Sequence, residues 1–335
     1  MCPEHLLDAV GKVRFHEGTG MNTDNLRIVS LIPSATEIVA ALGYGDCLVG
    51  RSHECDYPLS VKSLPICTEP KFDPVGTSGE IHERVTDLLT SALSVYRVKT
   101  EVLAHLQPTH IITQAQCEVC AVSLSDVEKA VSELVGQESD AAKPTIQVVS
   151  LQPERLTDVW TDMERVAKAI DSSSESTASA TDVIQQLKDR LKPIDAEGEL
   201  PKVACIEWTD PLMAAGNWVP ELVSMAGGHD CFGKAGAHSD WTSWADLTAA
   251  DPDIIVVLPC GYDMAQTRQA TEEMAAHSEW AQLKAVKNNR VYLTDGNQFF
   301  NRPGPRLVES WEILTEIIQG RDANALRAPK GWMLF

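Results

Sequence analysis

Apolar positions along this chain follow two periods, and the same succession of periods occurs once in each half. Short runs of β-branched and aliphatic residues predict buried strands, whereas apolar residues spaced three and four apart predict helices. RIVSLIPSATEIVAALG at 27–43 reads as a strand over Ile28–Ile32 and a helix over Ala35–Leu42 stopped by Gly43; the succession returns as KVACIEW at 202–208 with WVPELVSMAGG at 218–228. A second phrase, LAHLQPTHIITQ at 103–114, runs from a helix end through a Pro corner into a buried strand that opens on a polar loop. Its counterpart is LTAADPDIIVVLP at 247–259. Two α/β lobes side by side make a cleft, and a cleft suits ligand capture.

Within the first half, Cys47–Gly50 predicts a second strand and Pro58, Pro65, Pro70 and Pro74 predict turns. The helical spacing of 81–106 and the short strands Thr109–Thr113 and Ile146–Ser150 complete the alternation. Strands alternating with helices imply parallel sheets. Leu156–Ile170 is an amphipathic helix, the Ser/Thr/Ala run 171–181 interrupts it, and Asp182 caps a second helix over Val183–Leu191 that stops at Pro193. The expected organisation is a polar leader at 1–25, an N-terminal lobe at 26–153, a helical bridge at 154–195 and a C-terminal lobe at 196–320. A tail at 321–335 packs loosely, pinned by Trp332 and Phe335, after a closing helix over Leu307–Ile318.

Composition narrows the function. At 335 residues, 44% hydrophobic and 23% charged, the chain is that of a soluble globular protein of about two domains. Its formal net charge of -20 repels polyphosphate, which argues against nucleic acid and anionic membrane as partners. No GxxxxGK[ST] and no GxGxxG after a strand supports nucleotide binding, and no GxSxG or HExxH supports catalysis, so the expectation is a binder and not an enzyme. Residues 1–21 carry scattered charges and no apolar run, so the expected compartment is the cytoplasm, where nine cysteines remain thiols.

Loops at strand ends gather the unusual residues, where open parallel sheets bind ligands. In the first half these are Pro33-Ser34, the loop RSHECDYP at 51–58 and QAQCEVC at 114–120; in the second they are EWTDP at 207–211, WTSW at 241–244, CGY at 260–262 and NQFFNRPGP at 297–305. Aromatics are only 6% of the chain, yet Trp, at 8, outnumbers Phe and Tyr. Trp208, Trp218, Trp241 and Trp244 fall in loops or helix starts and offer flat apolar faces suited to a bulky planar ligand, or staple helix starts to the core. Trp160, Trp280 and Trp311 lie on helical faces as core. Cys117 and Cys120 form a CxxC that His53, Cys55 and Cys260 could join in a metal site, with His53 as an axial ligand; buried thiols and a hydrogen-bonded loop histidine are the plainer outcome.

SLIPSATEIVAALG, GRSHECDYP, TQAQCEVCAVS, ADPDIIVVLPCGYD and NRPGPRLVES, in that order, resemble the cobalamin-type branch of the Fe/B12 periplasmic-binding family. That family comprises the substrate-binding proteins of ABC importers for vitamin B12, siderophores and haem; the similarity runs from about Leu26 to Gln319. The resemblance implies an α/β class III substrate-binding architecture, two Rossmann-like lobes with separate parallel sheets bridged by one long helix. It implies a cobalamin or other corrinoid held flat in the cleft between aromatic walls Trp208, Trp218, Trp241 and Phe299. Ser34, Arg51, Gln114, Gln116 and Arg302 would meet peripheral amides or carboxylates. The implied partner is an ABC permease, with the binder itself a monomer. The alternative is a cytosolic metalloprotein or enzyme with a metal, haem or iron-sulfur centre on His53, Cys55, Cys117, Cys120 and Cys260.

Overall fold

The computed structural model describes residues 25–91, 95–115, 122–136, 146–195, 198–320 and 331–335. They divide into two compact units. One holds the described residues up to Pro74 with Arg84–Gln152 and Val159–Gln186; the other holds Val75–Glu83, Pro153–Asp158 and the described residues from Leu187 onward.

In chain order the first elements are β1 (Ile28–Ser30), α1 (Pro33–Ala41), β2 (Leu48–Arg51), β3 (Thr68–Pro70), α2 (Ser78–Ser91), β4 (Tyr96–Val98) and α3 (Thr100–Leu106). There follow β5 (His110–Gln114), α4 (Leu124–Gly136), β6 (Gln147–Leu151), α5 (Leu156–Ile170) and α6 (Ser174–Arg190). A wholly parallel sheet in the order β2-β1-β5-β6 forms the centre of the first unit, with Ile28 opposite Leu48 and His110. All three residues of β1 are buried because the strand has neighbours on both sides. Val29, Leu31, Leu103, Leu106, Ile111 and Val127 pack together as its core.

Two expectations change here. The helical spacing of 81–106 is broken by β4, which pairs antiparallel with β3 as a separate two-stranded sheet. And the Ser/Thr/Ala run does not delay the second of the two helices expected over 154–195: α6 starts at Ser174, not Val183. The cap explains it. Ser173 Oγ accepts the Ser176 N–H at 3.2 Å, and the Thr177 and Thr181 hydroxyls donate to carbonyls four residues back, so the hydroxyls that would compete with the helix are absorbed by it.

From Lys202 the elements are β7 (Lys202–Thr209), β8 (Leu212–Ala214), α7 (Val219–Met225), β9 (His229–Asp230), β10 (Asp240–Trp241), α8 (Trp244–Ala250) and β11 (Ile254–Val257). α9 (Met264–Ala275), α10 (Lys284–Lys287), β12 (Val291–Thr294), α11 (Leu307–Gln319) and β13 (Trp332–Leu334) complete the described residues. Here the sheet is mixed, β10-β8-β7-β11-β12-β13 with β9 also on β7, and not the second parallel sheet expected. β9, β11 and β12 run parallel along β7 and β11, but β8, β10 and β13 are antiparallel to their neighbours. Only Asp210 and Pro211 separate β7 from β8, a connection that closes a hairpin and cannot make a crossover. The tail is also more ordered than expected at its far end. β13 pairs with β12, the Trp332 indole donates to Glu316 at 2.6 Å, and Phe335 meets Trp280 edge-on. Trp160, Trp280 and Trp311 are buried, as their helical faces predict.

Candidate functional site

In the first unit the loops after β1, β2 and β5 leave the same end of a parallel sheet, where strand ends and helix starts meet. Pro33 opens α1, and Ile32 at its cap has no side chain to close the first turn. Ser34 is 1% exposed and its Oγ has no hydrogen-bond partner; Gln114, 4% exposed at the end of β5, has an Oε1 in the same state. A buried polar atom left without a partner costs about 1–3 kcal/mol, so both positions can take up a hydrogen bond from a water or a ligand. Gln116, Cys117 and Cys120 lie outside the described residues.

Arg51 turns inward. Its guanidinium donates to the carbonyls of Ser52 at 2.9 Å, His53 at 3.3 Å, Cys55 at 3.0 Å and Lys62 at 3.2 Å, while its backbone pairs with Pro65 and Cys67. It therefore braces the 52–62 loop from within, while its Nε is buried without a partner. Cys55 is also turned in, with its Sγ 3.0 Å from Thr36 Oγ1 on α1. Among the described residues no three of His, Cys, Asp and Glu gather into a metal site, so His53, Cys55 and Cys260 do not assemble as a set.

His53 is held differently. The Thr68 hydroxyl donates to Ser52 Oγ at 3.1 Å, so it can only accept from His53, whose backbone N–H and Nδ1 lie 3.1 and 2.8 Å away. That places the ring proton on Nδ1 and leaves Nε2 a lone pair. The ring also packs against Tyr96 at 5.1 Å. Burial, then the cations of Lys99 and Arg51, push its pKa down to about 4, so the imidazole is neutral at pH 7.

In the second unit the strand-end face is aromatic. Trp208, half-buried at the end of β7, lies 5.3 Å from Tyr262 and donates its indole N–H to the Asp210 carbonyl at 3.0 Å. Trp241 on the edge strand β10 is 54% exposed and meets His82 edge-on at 5.2 Å. It lines a cavity of ≈ 370 Å³ with Phe232, Lys234, His238, Asp240 and Asp246. Ser78 Oγ is 2.7 Å from Thr209 Oγ1 and 3.3 Å from the Tyr262 hydroxyl.

Four other candidates are structural. Trp218 is buried and its indole donates to the Phe300 carbonyl at 2.6 Å, stapling the start of α7. Phe299 is buried beneath the Arg306 guanidinium, 4.6 Å from its ring centre. Arg302 is 5% exposed and donates to Asn297 at 2.9 Å. Trp244 stacks flat on His277 at 4.1 Å and meets Trp280 edge-on. Aromatic and cationic residue types mark both walls and staples, which is why the sequence could not separate Trp208 from Trp218. Sequence reasoning did not single out Ser78, Thr209 and Tyr262; Thr209 and Tyr262 were signalled by their places in strand-end loops, Ser78 by nothing.

Two α/β units with ligand-suited loops at their strand ends define a binding protein more than a catalyst. The sequence pattern of the periplasmic binding protein family matches residues 28–297, and the chain belongs to that family. An uncharacterized ABC transporter substrate-binding lipoprotein of Bacillus subtilis, YvrC, is 26% identical over 299 residues, covering 87% of this chain and 79% of that protein. The vitamin B12-binding protein of Vibrio parahaemolyticus is 22% identical over 287 residues, covering 85% and 86%. Among solved structures, the periplasmic heme-binding protein RhuT from Roseiflexus sp. RS-1 shares the fold with a TM-score of 0.59 at 21% identity, covering 88% of this chain and 98% of that one.

These relatives correct the compartment. The family comprises non-catalytic substrate-binding proteins of ABC importers, and its named members are lipoproteins or periplasmic proteins, which overturns the cytoplasmic expectation. That expectation rested on the residue pattern of positions 1–21, all outside the described residues.

Proposed function

We propose that this chain is the cargo-binding component of an ABC importer, acting as a monomer, and that its cargo is cobalamin or another corrinoid. The observation that carries the cargo is the match to vitamin B12-binding proteins along most of the chain, 85% of it for the Vibrio parahaemolyticus protein. The strand-end loops support it. Trp208, Tyr262 and Trp241 offer flat faces with polar edges, the chemistry of a large planar ligand rimmed with amides. Ser34 Oγ and Gln114 Oε1 are a buried donor and a buried acceptor without partners, the pair that a primary amide satisfies. Gln116 joins them as a candidate from sequence alone.

A second reading, haem as cargo, is favoured by one observation: His53 holds a neutral imidazole with a lone pair on Nε2, which fits a metal whose other positions are already filled. Titration of the purified chain with cyanocobalamin and with haemin, read by tryptophan fluorescence and calorimetry, separates the two. The expected result is quenching by cyanocobalamin with a micromolar or tighter Kd, about -8 kcal/mol. Haemin binding with a His-ligated Soret band, and no response to the corrinoid, would transfer the assignment to haem.

A further inference from the structure

The first turns of α2 sit on the aromatic strand-end face just described. Ser78 touches Thr209 and Tyr262, His82 meets the ring of Trp241, and a Cβ on Gly79 would stand 2.7 Å from Asp210 Oδ2, so the backbone is seated directly against the loop after β7. Residues 75–83 group with the second unit although they lie between segments of the first in sequence, and the division falls between Glu83 and Arg84, inside the helix.

We infer that Thr77–Glu83 is a displaceable cover over the Trp208, Tyr262 and Trp241 face, closed in the cargo-free protein and moved aside when cargo enters. This rests on that face being a cargo site. Three features make the segment a cover and not a fixed wall. Its start is self-contained: Glu80 accepts the Thr77 N–H at 3.0 Å and Thr77 Oγ1 accepts the Glu80 N–H at 3.3 Å, a reciprocal cap that survives detachment. Its anchorage is slight, for Ser78 and Ile81 are the only buried side chains described along α2, whereas eight residues of the nine in α1 are buried. Its root is pliant: Gly76 takes a φ of 151, which other residues avoid, and Val75 beside it is 74% exposed. Among the contacts that hold it down, the two hydroxyl hydrogen bonds of Ser78 and the ring edge of His82 are replaceable by water or by a polar-rimmed planar ligand, and Ile81 adds one buried aliphatic side chain.

The test pairs Ser78→Cys with Thr209→Cys, whose side-chain oxygens are already in contact, and compares one preparation oxidised and reduced, with the bridge verified by peptide mass. Cyanocobalamin should bind the oxidised form at least ~10-fold more weakly than the reduced form; equal affinities overturn the cover. Native hydrogen exchange of the unmodified, cargo-free chain reads the cover without any cargo: the Ile81–Glu83 amides should exchange at least ~10-fold faster than Ile38–Ala40 of α1. Equal protection there also overturns it. Should the wild type and the reduced variant both ignore cyanocobalamin, the cargo assignment fails by itself and the exchange result decides the cover.

Discussion

Around Arg51 the polar groups are directed into the protein, four carbonyls of the loop met by one guanidinium and the His53 ring fixed by a threonine hydroxyl. Around Trp208 the arrangement differs: Trp208 is half-buried and Trp241 exposed, and the buried hydroxyls of Thr209 and Tyr262 meet the first residue of a lightly anchored helix. The first face is rigid because its hydrogen bonds have no cheaper partner, and the second is exchangeable because water can replace its hydroxyl contacts. Residue types alone would have ranked both as ligand-facing. What separates them is whether the side chain's bonding capacity is already used.

Four changes test that contrast, beginning with the largest effect. Arg51→Ala leaves four loop carbonyls without their donor and should lower unfolding stability by about 3 kcal/mol or more, measured by urea denaturation. Retention of full stability would mean that the loop does not need its brace. Trp208→Ala should leave the urea midpoint nearly unchanged and weaken cyanocobalamin by about 10- to 100-fold, roughly 1.4–2.7 kcal/mol. A loss of stability larger than the loss of affinity would place Trp208 with the staples. Ser34→Ala removes a buried hydroxyl that nothing in the protein satisfies, so the cargo-free form should gain about 1 kcal/mol while cargo affinity falls about 5-fold. A destabilised cargo-free form would show that the hydroxyl has a partner in the fold.

The last change reads pH dependence, at His53. Its folded pKa of about 4 lies below the ordinary 6.5, so the unfolded chain binds the extra proton first. Its contribution is complete above about pH 6.5 and is lost as pH falls from there towards 4. Replacing His53 with Gln should flatten the stability profile in that window and reduce proton uptake on unfolding near pH 5 by up to about one proton. An unchanged profile would show the ring to be solvated.

Much of the first unit was legible because β1, β5 and α1 carry full periods: Ile28–Ile32, Thr109–Thr113 and Ala35–Leu42 were placed within a residue or two of the elements observed. β3, β4, β8 and β10 were not: each is two or three residues long, and unlike β1, which lies inside the largely apolar run Ile28–Ile32, they have no apolar run of that length around them and are defined by their partners. The same limit governs the site. Ser78 meets Thr209 across 131 residues and Tyr262 across 184, and Trp218 reaches Phe300 across 82. No local pattern encodes such distances. Loop composition marked the strand ends as a neighbourhood, but which of its side chains face inward was decided by carbonyls and rings far away in sequence.

The pairing of β13 with β12 also sets a timetable. Thr294 and Trp332 are neighbours in the sheet yet about 40 residues apart in the chain, which at ~5–20 residues/s is several seconds of synthesis. Throughout that interval β12 presents a bare edge of backbone donors and acceptors, with Tyr292 beside it, to any other strand in reach. The indole of Trp332, seated on Glu316, then fastens the late strand in place. Nascent chains halted before Trp332 would carry that open edge permanently, and self-association is the fate their geometry favours.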